Sequence, residues 1–141
     1  MATSTYNPAK VVLTHLGQII TGYATGSFIK ASRNKETYTY TAGADGKGCR
    51  TLNPDKSGRV TITLMQSSVS NDVLSAAQIL DELTGQGVGP LIIKDLNGTL
   101  VVSATNAWIV KPADVDFAAE VGNREWMIEA EEMNIAGGTI L

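Results

Sequence analysis

The sequence predicts a mainly β protein, a β-sandwich or partly closed barrel flanked by one α-helix. Three observations support this fold class. Short segments with apolar residues at every second position recur along most of the 141 residues, as in strands buried on one face. Only one segment, at about residues 71–83, changes to helical spacing. An Asn-Gly pair between two apolar runs indicates a β-hairpin. At this length we assign residues 1–141 to a single domain.

The first half of the chain contains five predicted strands, at residues 10–16, 18–23, 28–32, 36–41 and 59–65. In segment 36–41 Thr alternates with Tyr, which favours a strand with two distinct faces. Segment 59–65 is the clearest strand, because its apolar residues fall on one face and Thr61 and Thr63 on the other.

Residues 42–58 are predicted to form a long loop, because they contain four glycines, one proline and several charges. We expect at most a short strand inside it, at about residues 49–52. Loops of this length are uncommon inside a domain and are usually functional or disordered.

The predicted helix at residues 71–83 has one apolar stripe at spacings of three and four residues. We expect this stripe to pack on the sheet, and its members are Val73, Ala76, Ala77, Leu80 and Leu83. Ser70 or Asn71 is expected to cap the N-terminus, and Gly85 to end the helix.

The second half contains four predicted strands, at residues 91–95, 99–110, 114–119 and 125–133. The first two are joined at the Asn-Gly turn. In the last, Trp126 and Ile128 are expected to face the core, while Glu125, Glu129 and Glu131 share the opposite face.

Composition excludes several classes of function. The net charge is −3 and no basic stretch is present, so tight binding of nucleic acid is not expected. The single cysteine excludes an internal disulfide and is compatible with folding in a reducing cytoplasm. No apolar run approaches the roughly 20 residues of a membrane span. Only 18% of residues are charged, and a surface poor in charge favours a protein partner.

The residues that usually carry chemistry are too few for an active site. His15 is the only histidine, and a strand histidine without a partner nucleophile is better explained structurally. Cys49 lies near Lys47 and Arg50, but no second cysteine supports catalysis or a zinc site. We therefore predict no enzyme activity, no metal and no cofactor.

The order of several modest motifs resembles the tail tube proteins of contractile-tailed bacteriophages, which are related to the tube proteins of type VI secretion systems. The motifs are, in chain order, LTHLGQIITGYATGSFIKASR, GADGKG, SGRVTITLM, SNDVLSAAQILDEL, IIKDLNGT, AWIVKPADVDF and REWMIEAEEM. The resemblance covers roughly residues 11–138. It rests on the order of the motifs, since such proteins have no catalytic signature.

The resemblance implies a structural protein of the virion. Six copies would form a ring, and rings would stack into a hollow tube, assembled in the host cytoplasm. A contractile sheath would surround the tube, and a tape-measure protein and later DNA would occupy its channel. Baseplate and tail terminator proteins would bind its ends, and the subunit itself would not insert into a membrane.

Within this picture two groups of residues are the candidate sites. The polar segment 42–58 is expected to contact a neighbouring subunit or ring and to order only there, through Asp45, Gly46, Lys47, Gly48, Arg50, Asp55 and Lys56. The channel lining is expected to be acidic or neutral, so that DNA slides, with Glu129 and Glu131, or Thr61 and Thr63, as its residues.

Two alternatives remain open at this point. The first is a tube subunit of a type VI secretion or extracellular contractile injection system, which the same fold would serve. The second is a monomeric β-barrel that binds a small ligand in an apolar pocket.

Overall fold

The computed structural model describes residues 3–140 and contains ten strands and one α-helix within them. The strands are β1 (Val11–His15), β2 (Gln18–Ile20), β3 (Ile29–Arg33), β4 (Tyr38–Ala42), β5 (Gly48–Leu52), β6 (Gly58–Met65), β7 (Gly89–Asp95), β8 (Val101–Ile109), β9 (Asn123–Ala130) and β10 (Met133–Ala136). The helix α1 is Ser70–Thr84, between β6 and β7. The predicted mainly β fold with one flanking helix is confirmed.

Eight strands form one antiparallel sheet in the order β2-β1-β7-β8-β9-β6-β3, with β10 also paired to β8. The sheet folds around one core, because Ile20 of β2 belongs to the buried cluster and Ile29 and Ala31 of β3 pack against the same cluster. Strand β6 turns one face to this core, since Val60, Ile62 and Leu64 are fully buried, as the period of two predicts. Its partner β9 contributes Trp126 and Ile128 to the same face.

The hairpin between β7 and β8 forms at Asn97 and Gly98, as predicted. The Asp95 side chain and carbonyl accept from the backbone N–H of Asn97 at 3.0 Å and of Gly98 at 3.2 Å. Asp95 thus fixes the turn through its own side chain, which is the usual role of Asp in turns.

A single strand at residues 125–133 was the wrong prediction, because the chain bends after Ala130. Strand β9 ends there, and β10 begins at Met133. Two residues, Glu131 and Glu132, intervene, and Met133 returns to the core. In a straight strand Met133 would lie on the outer face, so the insertion acts as a bulge that resets the alternation. Glu131 therefore lies in the bend, beyond the strand that carries Glu125 and Glu129.

Helix α1 ends at Gly85, whose φ of +71° gives the expected left-handed cap. The predicted capping residues are used elsewhere. The Ser70 hydroxyl accepts from the backbone N–H of Thr21 at 2.9 Å, and the Asn71 side chain oxygen accepts from the Trp126 indole at 3.0 Å. Both residues lie inside the helix, and the local side-chain bond at its start comes from Ser68, whose hydroxyl accepts from the Ser70 N–H at 3.2 Å.

The predicted apolar stripe of the helix is divided between two environments. Leu74 is buried, and Val73 and Ala77 pack partly against the core. In contrast, Leu80 and Leu83 face solvent, as does Ile79. The prediction that the whole stripe packs on the sheet was therefore wrong, because apolar side chains extend around more of the helix surface than the sheet covers.

The strand predicted at residues 114–119 does not form. The segment between β8 and β9 has no regular structure among the described residues. The Gln66 side chain holds it, donating to the Asp116 carbonyl at 2.6 Å and accepting from the Gly122 N–H at 2.9 Å. A backbone bond from the Gln66 N–H to the Gly122 carbonyl and the buried side chain of Ala113 hold the same segment. Exposed Phe117 therefore lies in an irregular segment and not in a sheet.

Candidate assembly surfaces

The segment predicted as a long loop contains one half of an exposed two-stranded sheet. Strands β4 and β5 pair only with each other among the described strands, so residues 38–52 form a hairpin that we call the arm. The short strand expected at 49–52 is β5, and it begins at Gly48. Every residue of the arm is exposed. An isolated two-stranded hairpin is marginally stable in water, so this arm gains most from a partner.

The arm has two chemically different faces, as the Thr-Tyr alternation predicted. Paired residues place three large apolar side chains on one side, and with one cation they form what we call the tyrosine face: Tyr38, Tyr40, Arg50 and Leu52. The Arg50 guanidinium lies 4.1 Å from the centre of the Tyr38 ring, a cation–π contact. Tyr40 is 68% exposed and Leu52 57%.

The opposite face of the arm is polar and consists of threonines and Cys49. Gly48 belongs to the tyrosine face, where any side chain would overlap the Tyr40 ring. The glycine therefore lets that ring fold across the arm.

The predicted contact residues separate into the tip and the base of the arm. At the tip, the Asp45 carboxylate accepts from the Lys47 N–H at 3.1 Å, and Gly46 adopts a φ of +84° that the turn requires. At the base, the Ser57 N–H donates to the Asp55 carboxylate at 2.9 Å. This bond and the Ser57 hydroxyl lower the pKa of Asp55.

The base of the arm also meets the bend in the sheet. Lys56 lies 3.9 Å from the Glu132 carboxylate, and a polar groove there is lined by Asp55, Lys56, Asn106 and Glu131 among others. The Asn106 side chain donates to Glu131 at 3.3 Å. Two predicted sites, the loop and one glutamate of the expected channel lining, are thus brought together at the base.

The other candidate lining residues share one outer face of the sheet, which we call the mixed-charge face. Register across β3, β6 and β9 aligns Lys30, Arg59, Thr61, Thr63, Glu125, Met127 and Glu129 on it. The Arg59 guanidinium donates to Glu129 at 2.9 Å, and Asn34 donates to the other carboxylate oxygen at 2.8 Å. Sequence reasoning missed Arg59, although the alternation that places Thr61 also places Arg59. Two cations balance two anions on this face.

The main strand order ends at β2 and β3, while β10 lies off this order and pairs with β8. In the part of the chain that the structure describes, β2 pairs only with β1, and β3 only with β6. Each end strand therefore presents unpaired backbone N–H and C=O groups. Both strands are short, three and five residues, which limits uncontrolled pairing.

The described residues form no metal-ligand cluster, and the one histidine has no catalytic partner among them. His15 is buried, and burial lowers its pKa. The Pro90 carbonyl offsets part of this decrease, but neither ring nitrogen reaches hydrogen-bond geometry with a described residue. Within residues 3–140 no three His, Cys, Asp or Glu side chains converge as metal ligands, and the helix is neither long nor apolar enough to cross a bilayer.

An apolar groove lies between β3, with the residues just before it, and the strands β1, β7, β8 and β10. Its lining includes Val11, Phe28, Ile29, Val102 and Ile135. This groove is the feature that a ligand-binding barrel would use.

Comparison with known proteins shows the family of this chain. The family model of the bacteriophage PhiTE tail tube protein matches residues 14–138. The chain belongs to this tail tube family. It is also 31% identical over 134 residues to "Structural protein ORF10" of Pseudomonas phage KPP10, with 89% of this chain and 78% of that protein covered. This phage tail tube protein is thus a structural component of the virion and not an enzyme, as predicted.

Two solved structures share the fold. One is the sheath/tube terminator of an extracellular contractile injection system (PVC), with a TM-score of 0.60 at 11% identity, covering 97% of this chain and 100% of that chain. The other is the tube-terminating cap of the anti-feeding prophage, with a TM-score of 0.59 at 8% identity, covering 98% and 95%. The open sheet with a flanking helix therefore also occurs in injection machines, while the family match favours a phage tail tube.

Proposed function

We propose that this tail tube protein forms six-membered rings that stack into the hollow inner tube of a phage tail, through which DNA passes into the host. The observation that carries the proposal, beside family membership, is the open sheet. Its two different ends, β2 and β3, lie at opposite extremes of one strand order. Pairing β2 of one copy with β3 of the next repeats head to tail, and such a contact closes into a ring when the rotation permits.

The arm is the part of the subunit that we expect to hold stacked rings together. A marginal hairpin with an apolar face gains order when it binds another subunit. Asp45, Gly46, Lys47, Gly48 and Arg50 would then contact a neighbouring subunit or ring, and Asp55 and Lys56 would support the arm at its base. Hydrogen exchange tests this directly. We expect the arm amides to be protected in tubes and not in free subunits, and equal protection in both states would contradict the proposal.

The mixed-charge face is proposed as the channel wall, with Thr61, Thr63 and Glu129 lining it and Glu131 at its border. Since Arg59 binds Glu129, the wall would be close to neutral. A neutral wall suits transport, because each added phosphate contact would hold DNA back.

The partners proposed for the tube follow from its place in the tail. A sheath would cover its outside, a tape-measure protein would occupy the channel before DNA does, and baseplate and terminator proteins would bind its ends. Assembly would take place in the host cytoplasm. The two solved structures with this fold are, by their own descriptions, a tube-terminating cap and a sheath/tube terminator.

Electron microscopy of the purified protein, with its mass in solution, tests the assembly. Rings or tubes of uniform diameter with six-fold symmetry are expected, with the baseplate-proximal proteins added if nucleation is slow. A protein that remains monomeric even then, and binds a small apolar ligand in the groove, would support the ligand-binding alternative instead.

Cysteine labelling tests the channel wall. We would place a cysteine at Thr63 in a Cys49→Ser background and compare a small maleimide with one coupled to a large carrier protein. In free subunits both reagents should react. In tubes the small reagent should still react through the open ends, while the large one should not. Reaction with both would place Thr63 on the outside, and reaction with neither would place it in a subunit contact.

A further inference from the structure

The outer side of helix α1 carries an apolar stripe that stays exposed among residues 3–140. Ala76, Ile79 and Leu83 recur at spacings of three and four, so they lie on one side of the helix. Leu83 is 79% exposed and Ile79 50%. Ile79 is turned roughly 140° around the helix axis from buried Leu74. We call these three residues the helix stripe.

The charged side chains of the helix that carries the helix stripe are all negative. Between residues 60 and 93 the chain has no lysine or arginine, and its three charges are Asp72, Asp81 and Glu82. Glu82 follows Ile79 by three residues and lies in the last turn of the helix, which contains no basic residue. The negative end of the helix dipole is therefore not balanced by a basic side chain of that turn.

The tyrosine face of the arm has the complementary chemistry. It is apolar through its two tyrosines and Leu52, and Arg50 lies among them. Lys47 adds a second cation at the tip, against the single anion Asp45, so the arm is net positive. An aromatic face with an arginine is the composition that dominates protein interfaces.

We propose that the tyrosine face of one copy's arm binds the helix stripe of a neighbouring copy, with Arg50 and Lys47 beside Glu82 and the helix C-terminus. The inference rests on the proposed function, which supplies the second copy. It adds the surface that receives the arm. The contact is heterologous, joining two different surfaces of identical chains, so it can repeat along a growing assembly.

Cross-linking between two marked populations tests the contact. One population carries Ala42→Cys with Cys49→Ser, because Ala42 lies on the tyrosine face. The other carries Glu82→Cys with Cys49→Ser and a mass tag. Mixed tubes treated with a short bis-maleimide should give linked pairs of one tagged and one untagged chain.

Two matched controls use the same chemistry at positions outside the contact. On the arm, native Cys49 lies on the polar face. On the acceptor, Glu125→Cys makes the same exchange on the mixed-charge face. The pair formed by Ala42→Cys and Glu82→Cys should exceed both control pairs several-fold.

Charge reversal provides a second readout. Arg50→Glu should lower the yield of tubes several-fold, and mixing in copies with Glu82→Arg should restore it, because the reversed arm then meets a reversed acceptor. Tubes that form without linkage above the controls would overturn this inference and leave the proposed function standing. Failure of all variants, and of the unmodified chain, to form rings or tubes would overturn both.

Discussion

Leu74 is the residue through which helix α1 enters the core, since it is only 1% exposed. Truncating it to alanine removes buried methyl groups and leaves a cavity under the helix, which costs about 2–5 kcal/mol. A domain of this kind has a total stability of roughly 5–15 kcal/mol. With a shift of roughly 3 °C for each kcal/mol at this size, we expect Leu74→Ala to lower the melting temperature by roughly 6–15 °C.

Leu83→Ala is the matched control on the same helix. The two changes alter helix propensity equally, so any difference between them reports burial. Because Leu83 is 79% exposed, its truncation should change stability by no more than about 0.5 kcal/mol. If the helix stripe receives the arm, however, Leu83→Ala should weaken tube formation while leaving the subunit folded.

Thermal unfolding of the free subunit by circular dichroism, together with denaturant titration, measures the two stability changes. Electron microscopy measures assembly of the same samples. Equal destabilisation by both variants would refute the reasoning, because it would mean that the sheet covers both sides of the helix. Leu83 would then be a core residue and the helix stripe would not be available to a partner.

Three further predictions concern the core. Gly58→Ala should destabilise by about 1–3 kcal/mol, measured by denaturant titration, because the added carbon would lie 2.7 Å from the Met133 sulfur. Asn71→Ala should cost about 1–3 kcal/mol, since it leaves the Trp126 indole N–H without its acceptor; urea unfolding checks this. Lowering the pH from about 8 to about 5.5 should reduce the melting temperature, because burial lowers the pKa of His15 below its ordinary 6.5 and the unfolded chain takes up a proton that the folded chain does not.

Each of these predictions has its own control. Gly138→Ala, where the added carbon meets nothing within 4 Å, should be neutral, and a similar loss there would remove the steric explanation. Asn71→Asp keeps an acceptor for the indole and should lie between Ala and the unmodified protein. His15→Leu should reduce the dependence on pH, and an unchanged slope would assign it to other groups.

Patterns within one segment predicted the structure well. The helix at 71–83 was found at Ser70–Thr84, and Thr-Tyr alternation gave both a strand and its two faces. These features depend on side chains that are neighbours along the chain. The alternation in β6 placed Thr61 and Thr63 on the side opposite buried Ile62. The sequence therefore predicted which side of β6 belongs to the mixed-charge face.

Features that depend on distant partners could not be read in this way. The break after Ala130 is matched across the sheet by Thr105 and Asn106 of β8, which are both exposed in an otherwise alternating strand. No pattern within residues 125–133 reveals that match. Similarly, the stripe from Val73 to Leu83 is continuous in apolarity, and only the sheet beneath it decides which members are buried.

The arm contributes none of the residues of the buried core. Substitutions in it therefore cost little folding free energy, while any contact it makes with another copy would change. If the arm makes the proposed contact with a neighbouring copy, two tail tube proteins with the same core would be able to diverge in the arm until copies of one no longer fit copies of the other. In a cell infected by two phages, such divergence would keep subunits of one phage out of the tubes of the other. The exposed hairpin would then determine which copies assemble together.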